Sequence, residues 1–199
     1  MPSGCFLRGA ANPDASLPRG GARHTGEVST IRLVTLDDAP ALVELLVRDR
    51  AFMAPWEPDR PEVHYTLEGQ REALEKALEA HDRGAAVPLV IVGNGRVVGR
   101  ITLNDIVRGA FQSTALGYWV TEAANGRGLA TAAVRDTLAY AFGELGLHRV
   151  EASTLPGNIR SQRVLKRNGF VWFAVAPEYL KIAGRWQDHV LFQKVSPSA

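Results

Sequence analysis

The sequence predicts a mixed α/β domain, and three observations carry that prediction. Apolar runs at 89–92 and 97–102 flank Asn94-Gly95, a strong signal for an antiparallel hairpin. A strand-like run at 114–120 passes through a glycine-rich turn into a helix-length segment with apolar residues at helical spacing. Beyond it, strand-like and helix-like segments alternate to residue 195.

In chain order, residues 1–27 are rich in Gly, Pro, Ala and Arg without hydrophobic period, and read as a disordered tail. A natural start near Val28 is the expectation, with a single domain over 28–196. Residues 31–34 form a short strand. Asp37 and Asp38 then cap a helix carrying Leu42, Leu45 and Leu46. Pro55-Trp56-Glu57-Pro58 reads as a loop, because each proline restricts itself and the residue before it. Thr66 with Gly69-Gln70 opens a helix to about His81, ended by Gly84. A helix over 126–145 places Val134, Leu138, Ala141, Phe142 and Leu145 on one face, with Gly146 as its stop. Then follow a strand at 149–154, a helix at 158–168 stopped by Gly169, and strands at 170–175 and 189–195. No internal repeat is visible.

Composition excludes several classes. Among 199 residues, 46% are hydrophobic and 22% charged, with a net charge of +2. Lys and Arg are interleaved with Asp and Glu, which argues against nucleic-acid binding. The lone Cys5 allows no intramolecular disulfide and sits in the tail, a poor place for a nucleophile. No apolar run reaches transmembrane length, and Arg8, Asn12 and Pro13 interrupt any signal-peptide core. A cytoplasmic location is therefore expected. His148 and His189 lack metal-ligand spacing, so no metal site is expected. Asp188-His189 lacks the Gly-x-Ser-x-Gly elbow of a hydrolase and reads as structural.

The turn Asn125-Gly126-Arg127-Gly128-Leu129-Ala130-Thr131 carries most of the functional information. The first N–H groups of a helix lack intrahelical partners, carry partial positive charge and bind phosphate. Glycine lets a ligand approach the backbone closely. The turn lacks the Gly-Lys-Ser/Thr of a mononucleotide P-loop. Thr131 stands where the dinucleotide fingerprint has its third small residue, and Glu151 opens rather than closes the next strand.

With Gly128 and Ala130 at its fixed positions, this turn resembles the coenzyme A pyrophosphate loop of the GNAT N-acetyltransferase superfamily. Asn125 replaces that loop's usual Gln or Arg. The resemblance spans about 31–195 and is nearest to the RimJ/RimL-type branch of ribosomal-protein N-acetyltransferases. Four further segments carry it: Leu116-Gly117-Tyr118-Trp119-Val120; Asn158-x-x-Ser161 with Arg163-Val164-Leu165 and Asn168-Gly169-Phe170; Glu178-Tyr179-Leu180; and Gly184-x-Trp186-x-Asp188-His189.

The resemblance implies the GNAT fold, a mostly antiparallel twisted sheet of about seven strands with about four flanking helices. It implies acetyl transfer from acetyl-coenzyme A to a primary amine, with a protein N-terminal α-amine as first choice. Transfer would be direct, within a ternary complex. Asn125 to Thr131 would bind the pyrophosphate, and Asn158 would contact coenzyme A or act as a plain helix cap. Trp119 and Val120 would meet the pantetheine arm on a splayed strand edge. Glu178 would be the general base and Ser161 the proton donor to the thiolate. Leu165 holds the place of the tyrosine that serves many superfamily members in that second role. Trp56, Glu57 and Tyr65 would wall the acceptor pocket. The apolar run Val171-Trp172-Phe173-Ala174 departs from the branch and would suit an interface, so monomer and homodimer both stand. A small amine, such as an antibiotic or polyamine, is the alternative acceptor. A non-catalytic acyl-coenzyme A sensor and a dehydrogenase are the competing classes.

Overall fold

The computed structural model describes residues 30–197, so the tail, Cys5 and the start near Val28 lie outside the described residues. A seven-stranded sheet in the order β1-β2-β3-β4-β5-β7-β6 forms the centre. Every neighbouring pair is antiparallel except β4 and β5.

Strand β1 (Ile31–Leu33) leads through a 3-10 turn into α1 (Ala39–Arg48), which has Pro40 in its first turn. The expected cap differs here. Asp38 is buried, and its carboxylate turns back to accept from both Arg32 nitrogens at 2.7 and 2.6 Å and from the Thr35 N–H at 2.8 Å. The aspartate thus ties the strand to the turn and does not cap α1, because a guanidinium within reach is a stronger partner than a helix N–H.

The short α2 (Arg50–Met53) and two 3-10 turns precede α3 (Leu67–Asp82), so Trp56 lies in a 3-10 turn at the start of the expected loop. Thr66 caps α3 as expected, accepting from the Gly69 N–H at 3.1 Å. Strands β2 (Val87–Gly93) and β3 (Arg96–Val107) join at Asn94-Gly95, both at positive φ. Next come β4 (Ser113–Val120), α4 (Leu129–Gly143), β5 (Arg149–Thr154) and α5 (Ile159–Arg167). Helix α4 starts later than Gly126 because the glycines belong to the turn.

The largest departure is at the C-terminal end. Strand β6 (Val171–Ile182) continues far beyond 175 and pairs with β7 (Arg185–Val195) through a tight turn at Ala183-Gly184, φ 47° and 75°. Pro177 hides the continuation from a sequence reading. It is tolerated because β6 is the edge strand and bulges there.

Alternation along the strands sorts two cores. Ile101, Leu103 and Leu116 face α4, where they pack with Val134, Leu138, Leu165 and Phe192. On the other face Val90 packs with Leu42 and Leu74 of α1 and α3. Each fully buried leucine or phenylalanine in these layers contributes about 1.5–3 kcal/mol. None of the helices among the described residues is long and apolar enough to cross a membrane.

Candidate active site

The site begins where the sheet comes apart. Strands β4 and β5 pair only at Ser113↔Arg149, Thr114↔Val150 and Ala115↔Glu151. Past that point β4 stays with β3 as far as Gly99↔Val120, and β5 stays with β7 as far as Thr154↔Val190. A wedge therefore opens between them, bordered by the unpaired edge of residues 116–120. Thr121 donates its N–H across to Val98 on β3 at 2.9 Å. Strand alternation then turns the N–H of Val120 and of Tyr118 into the wedge, and that of Trp119 toward β3.

At the end of β4 the chain makes the glycine turn. The Asn125 amide donates to the Thr121 carbonyl at 3.0 Å and so braces the turn itself. Buried Asp49, at the end of α1, accepts the Glu122 N–H at 2.8 Å and anchors the turn from the other side. Gly126 and Gly128 are left-handed, φ 75° and 79°, and no atom lies within 4 Å of where a Cβ on either would stand. That open space meets the first N–H groups of α4, over Leu129, Ala130 and Thr131, which have no intrahelical carbonyl to bond. A cavity of about 860 Å³ lies beside them, lined also by Arg127, Arg167 and Lys194. The end of α5 is fastened to this turn by the Asn168 amide, 3.2 Å from the Thr131 carbonyl. The geometry fits a large anionic ligand such as a pyrophosphate. Arg167 and Lys194 were not picked out by sequence, since they come from different elements with no shared motif.

Helix α5 points its start at the wedge. Asn158 caps it, its Oδ1 accepting from the Ser161 N–H at 3.1 Å. The Ser161 hydroxyl lies 2.9 Å from the Tyr118 phenol, which also lies 3.2 Å from the Ser161 carbonyl. Burial pushes the Tyr118 phenol up to about 12, against the pull of the Ser161 hydrogen bond. Tyr118 was legible only as part of a motif, not as a partner of Ser161. Leu165 is fully buried in the core.

A second cavity, of about 260 Å³, opens on the α1/α3 side of the sheet and takes Glu57, Arg60, His64, Arg100 and Tyr118 into its walls. The tip of the β6–β7 hairpin is tied to the Glu57 loop, the Ala183 N–H donating to the Glu57 carbonyl at 3.0 Å. Burial raises the Glu57 carboxyl above its ordinary range, although Arg60 opposes this. Burial, and then Arg60 and Arg100, lower the His64 imidazole. Of the expected wall residues, Glu57 lines the cavity. Trp56 beside it is exposed, and Tyr65 lies under the Arg50 guanidinium, 4.1 Å from ring centre to cation.

Glu178 sits in the β6 bulge. Pairing resumes from Ala176↔His189 to Leu180↔Gln187, so Pro177, Glu178 and Tyr179 oppose Asp188 alone. Glu178 is left-handed at φ 46°, exposed, and its N–H donates to Asp188 Oδ1 at 2.9 Å. A non-glycine residue in that region is strained, and such strain gathers at functional positions. His189 is buried, with Nδ1 2.9 Å from the Gln187 carbonyl, in keeping with a structural part. Among the described residues no group of three or more His, Cys, Asp and Glu could hold a metal ion.

Against known proteins, residues 29–171 match the family described as acetyltransferase (GNAT) domain. The "Probable N-acetyltransferase YjcK" of Bacillus subtilis is 36% identical over 179 residues, covering 86% of this chain and 96% of that protein. The "[Ribosomal protein uS5]-alanine N-acetyltransferase" of Escherichia coli is 33% identical, covering 88% of this chain and 91% of that one. Among solved structures, Mycobacterium smegmatis RimJ in complex with CoA-disulfide superposes with a TM-score of 0.81 at 31% identity, covering 83% and 81% of the two chains.

Proposed function

The chain belongs to the GNAT acetyltransferase family and is an acetyl-coenzyme A-dependent N-acetyltransferase, and we infer that its acceptor is a protein N-terminal α-amine, as on a ribosomal protein. The observation that carries this reading is the wedge between β4 and β5, with the Tyr118–Ser161 pair at its edge and a cavity on the opposite face. The uS5-alanine N-acetyltransferase at 33% identity supports the choice of acceptor.

Acetyl-coenzyme A supplies an activated acyl carbon and a thiolate leaving group. The N–H groups of Gly126 to Thr131 hold the pyrophosphate, with Arg127 adding charge, while the Asn125 N–H is taken by the Glu122 carbonyl at 3.1 Å; the Asn158 amide nitrogen is left to contact the coenzyme while its oxygen caps α5. Trp119 and Val120 line the arm's path, and the Val120 N–H stabilises negative charge on the carbonyl oxygen during transfer. Glu178 takes the proton from the incoming ammonium, directly or through water. Ser161 gives its proton to the departing sulfur, with Tyr118 orienting the hydroxyl. Of the three expected wall residues, Glu57 faces the acceptor cavity, and Trp56 and Tyr65 lie outside its lining. An α-amine titrates at about 7.7–8.0, so one modest base suffices.

The test is mass spectrometry of mixed acceptors with acetyl-coenzyme A: peptides with free Ser, Ala or Met N-termini, N-blocked lysine peptides, and polyamines. Acetyl addition at free N-termini, lost with Glu178→Gln, is the expected result. Acetylation of polyamines alone overturns the acceptor class, and coenzyme binding without any transfer favours a sensor.

A further inference from the structure

The floor of the smaller cavity is polar for a reason that the transfer chemistry does not supply. Along β3 the residues facing α4 are Ile101 and Leu103, both fully buried in the core. The alternate residues Arg100, Thr102 and Asn104 face the cavity. Register places Arg100 opposite Trp119 on β4 and opposite Val90 on β2. A guanidinium therefore sits in the middle of the sheet, one residue along from the Val120 edge.

That charge is not neutralised locally. Among the described residues the Arg100 guanidinium has no hydrogen-bond or ion-pair partner, although its backbone is part of the sheet. Asp38 acts on it as an opposite charge, but that carboxylate already takes two hydrogen bonds from Arg32. Arg60 lines the same cavity and acts on Arg100 as a like charge. Burial, with both arginines adding to it, holds His64 toward its neutral form. Glu57 is the single carboxylate in the lining, against two guanidinium groups. Such a cavity repels an ammonium that arrives alone. A buried charge without a partner is costly, and a carboxylate that pairs with it recovers that cost through bidentate hydrogen bonds.

We propose that Arg100 and Arg60 read a carboxylate carried by the acceptor close to its reacting amine. The proposal rests on the N-terminal α-amine reading and narrows it: the preferred N-termini bear Asp or Glu at the second or third residue. The cavity, at about 260 Å³, is too small for more than the first few residues of a peptide.

The experiment compares kcat/KM for peptide pairs that differ only by Asp against Asn at the second or third residue, in the wild type, Arg100→Met and Arg60→Glu. The ratio is taken within one preparation, so a loss of folded protein cancels. Free aspartate, free asparagine and spermidine are run beside them. The wild type is expected to prefer Asp by about 10- to 100-fold, the range of a hydrogen-bonded charge. Arg100→Met brings the ratio close to one, and Arg60→Glu lowers or inverts it. Equal rates for both peptides in the wild type overturn the carboxylate reading and leave N-terminal acetylation standing. Acetylation of free aspartate over asparagine with neither peptide acetylated supports the carboxylate reading and overturns the peptide acceptor. Acetylation of spermidine alone overturns both.

Discussion

Tyr118 Oη stands 2.9 Å from Ser161 Oγ and 3.2 Å from the Ser161 carbonyl oxygen, joining β4 to the start of α5 across the wedge. With its proton on the carbonyl, the phenol accepts from the serine hydroxyl. With its proton on Oγ, it frees the serine proton for the wedge. Burial keeps the phenol protonated through the range of any practical assay.

Tyr118→Phe is therefore expected to lower kcat by about tenfold, the worth of one hydrogen bond of about 1.4 kcal/mol, with little change in the acetyl-coenzyme A KM. Ser161→Ala should lose about 10²-fold. The double variant should be no worse than Ser161→Ala alone, since Tyr118 acts through that hydroxyl. Fully additive losses in steady-state thiol release would remove Tyr118 from this role.

Glu178 tests the link between strain and chemistry. Glu178→Gln should lose about 10²- to 10⁴-fold in kcat while calorimetry gives an unchanged acetyl-coenzyme A affinity. Glu178→Gly relieves the left-handed backbone, worth about 1–2 kcal/mol. It should match or exceed wild-type stability in urea while remaining as inactive as the glutamine variant. A less stable glycine variant would argue against strain at this position.

The glycine turn predicts a separation of binding from folding. Gly128→Ala meets no atom within 4 Å, so its folding cost is confined to backbone strain of about 1–2 kcal/mol. The new methyl group occupies the ligand's side of the turn. Acetyl-coenzyme A affinity should fall more than about tenfold by titration calorimetry, roughly 1.4 kcal/mol. Affinity equal to the wild type would place the pyrophosphate elsewhere.

Asp38 carries the pH prediction. Burial acts to raise its carboxyl, but the Arg32 hydrogen bonds and the Thr35 N–H outweigh that and hold it below the ordinary range. With the folded value lowered, the pair's contribution is full above the unfolded value of about 3.9 and is lost as pH falls through the lower folded value. Arg32 is partly in solvent, so Asp38→Asn should cost about 1–2 kcal/mol at pH 7. Urea titrations should show that gap unchanged down to about pH 5 and closing below about pH 4. A gap that stays open in acid would exclude the ion pair as its source.

Much of the architecture is local and could be read from residues a few positions apart. The Asn94-Gly95 hairpin, the Thr66 and Asn158 caps, and the glycine turn before α4 each depend on backbone preferences within one turn of chain. The alternation of Arg100-Ile101-Thr102-Leu103-Asn104 was equally visible as a pattern, but which face met a cavity was not. Tertiary structure decided the rest. The wedge exists because β4 and β5 each keep a different partner, which no single segment encodes. Tyr118 and Ser161 are 43 positions apart, and Asp49 and Glu122 are 73 apart. Pro177 signals a break in isolation, and only pairing with β7 carries the strand past it and leaves Glu178 in its strained bulge. Short-range dihedral preferences determined the elements of this protein, whereas long-range register and packing decided which side chains share the two cavities described above.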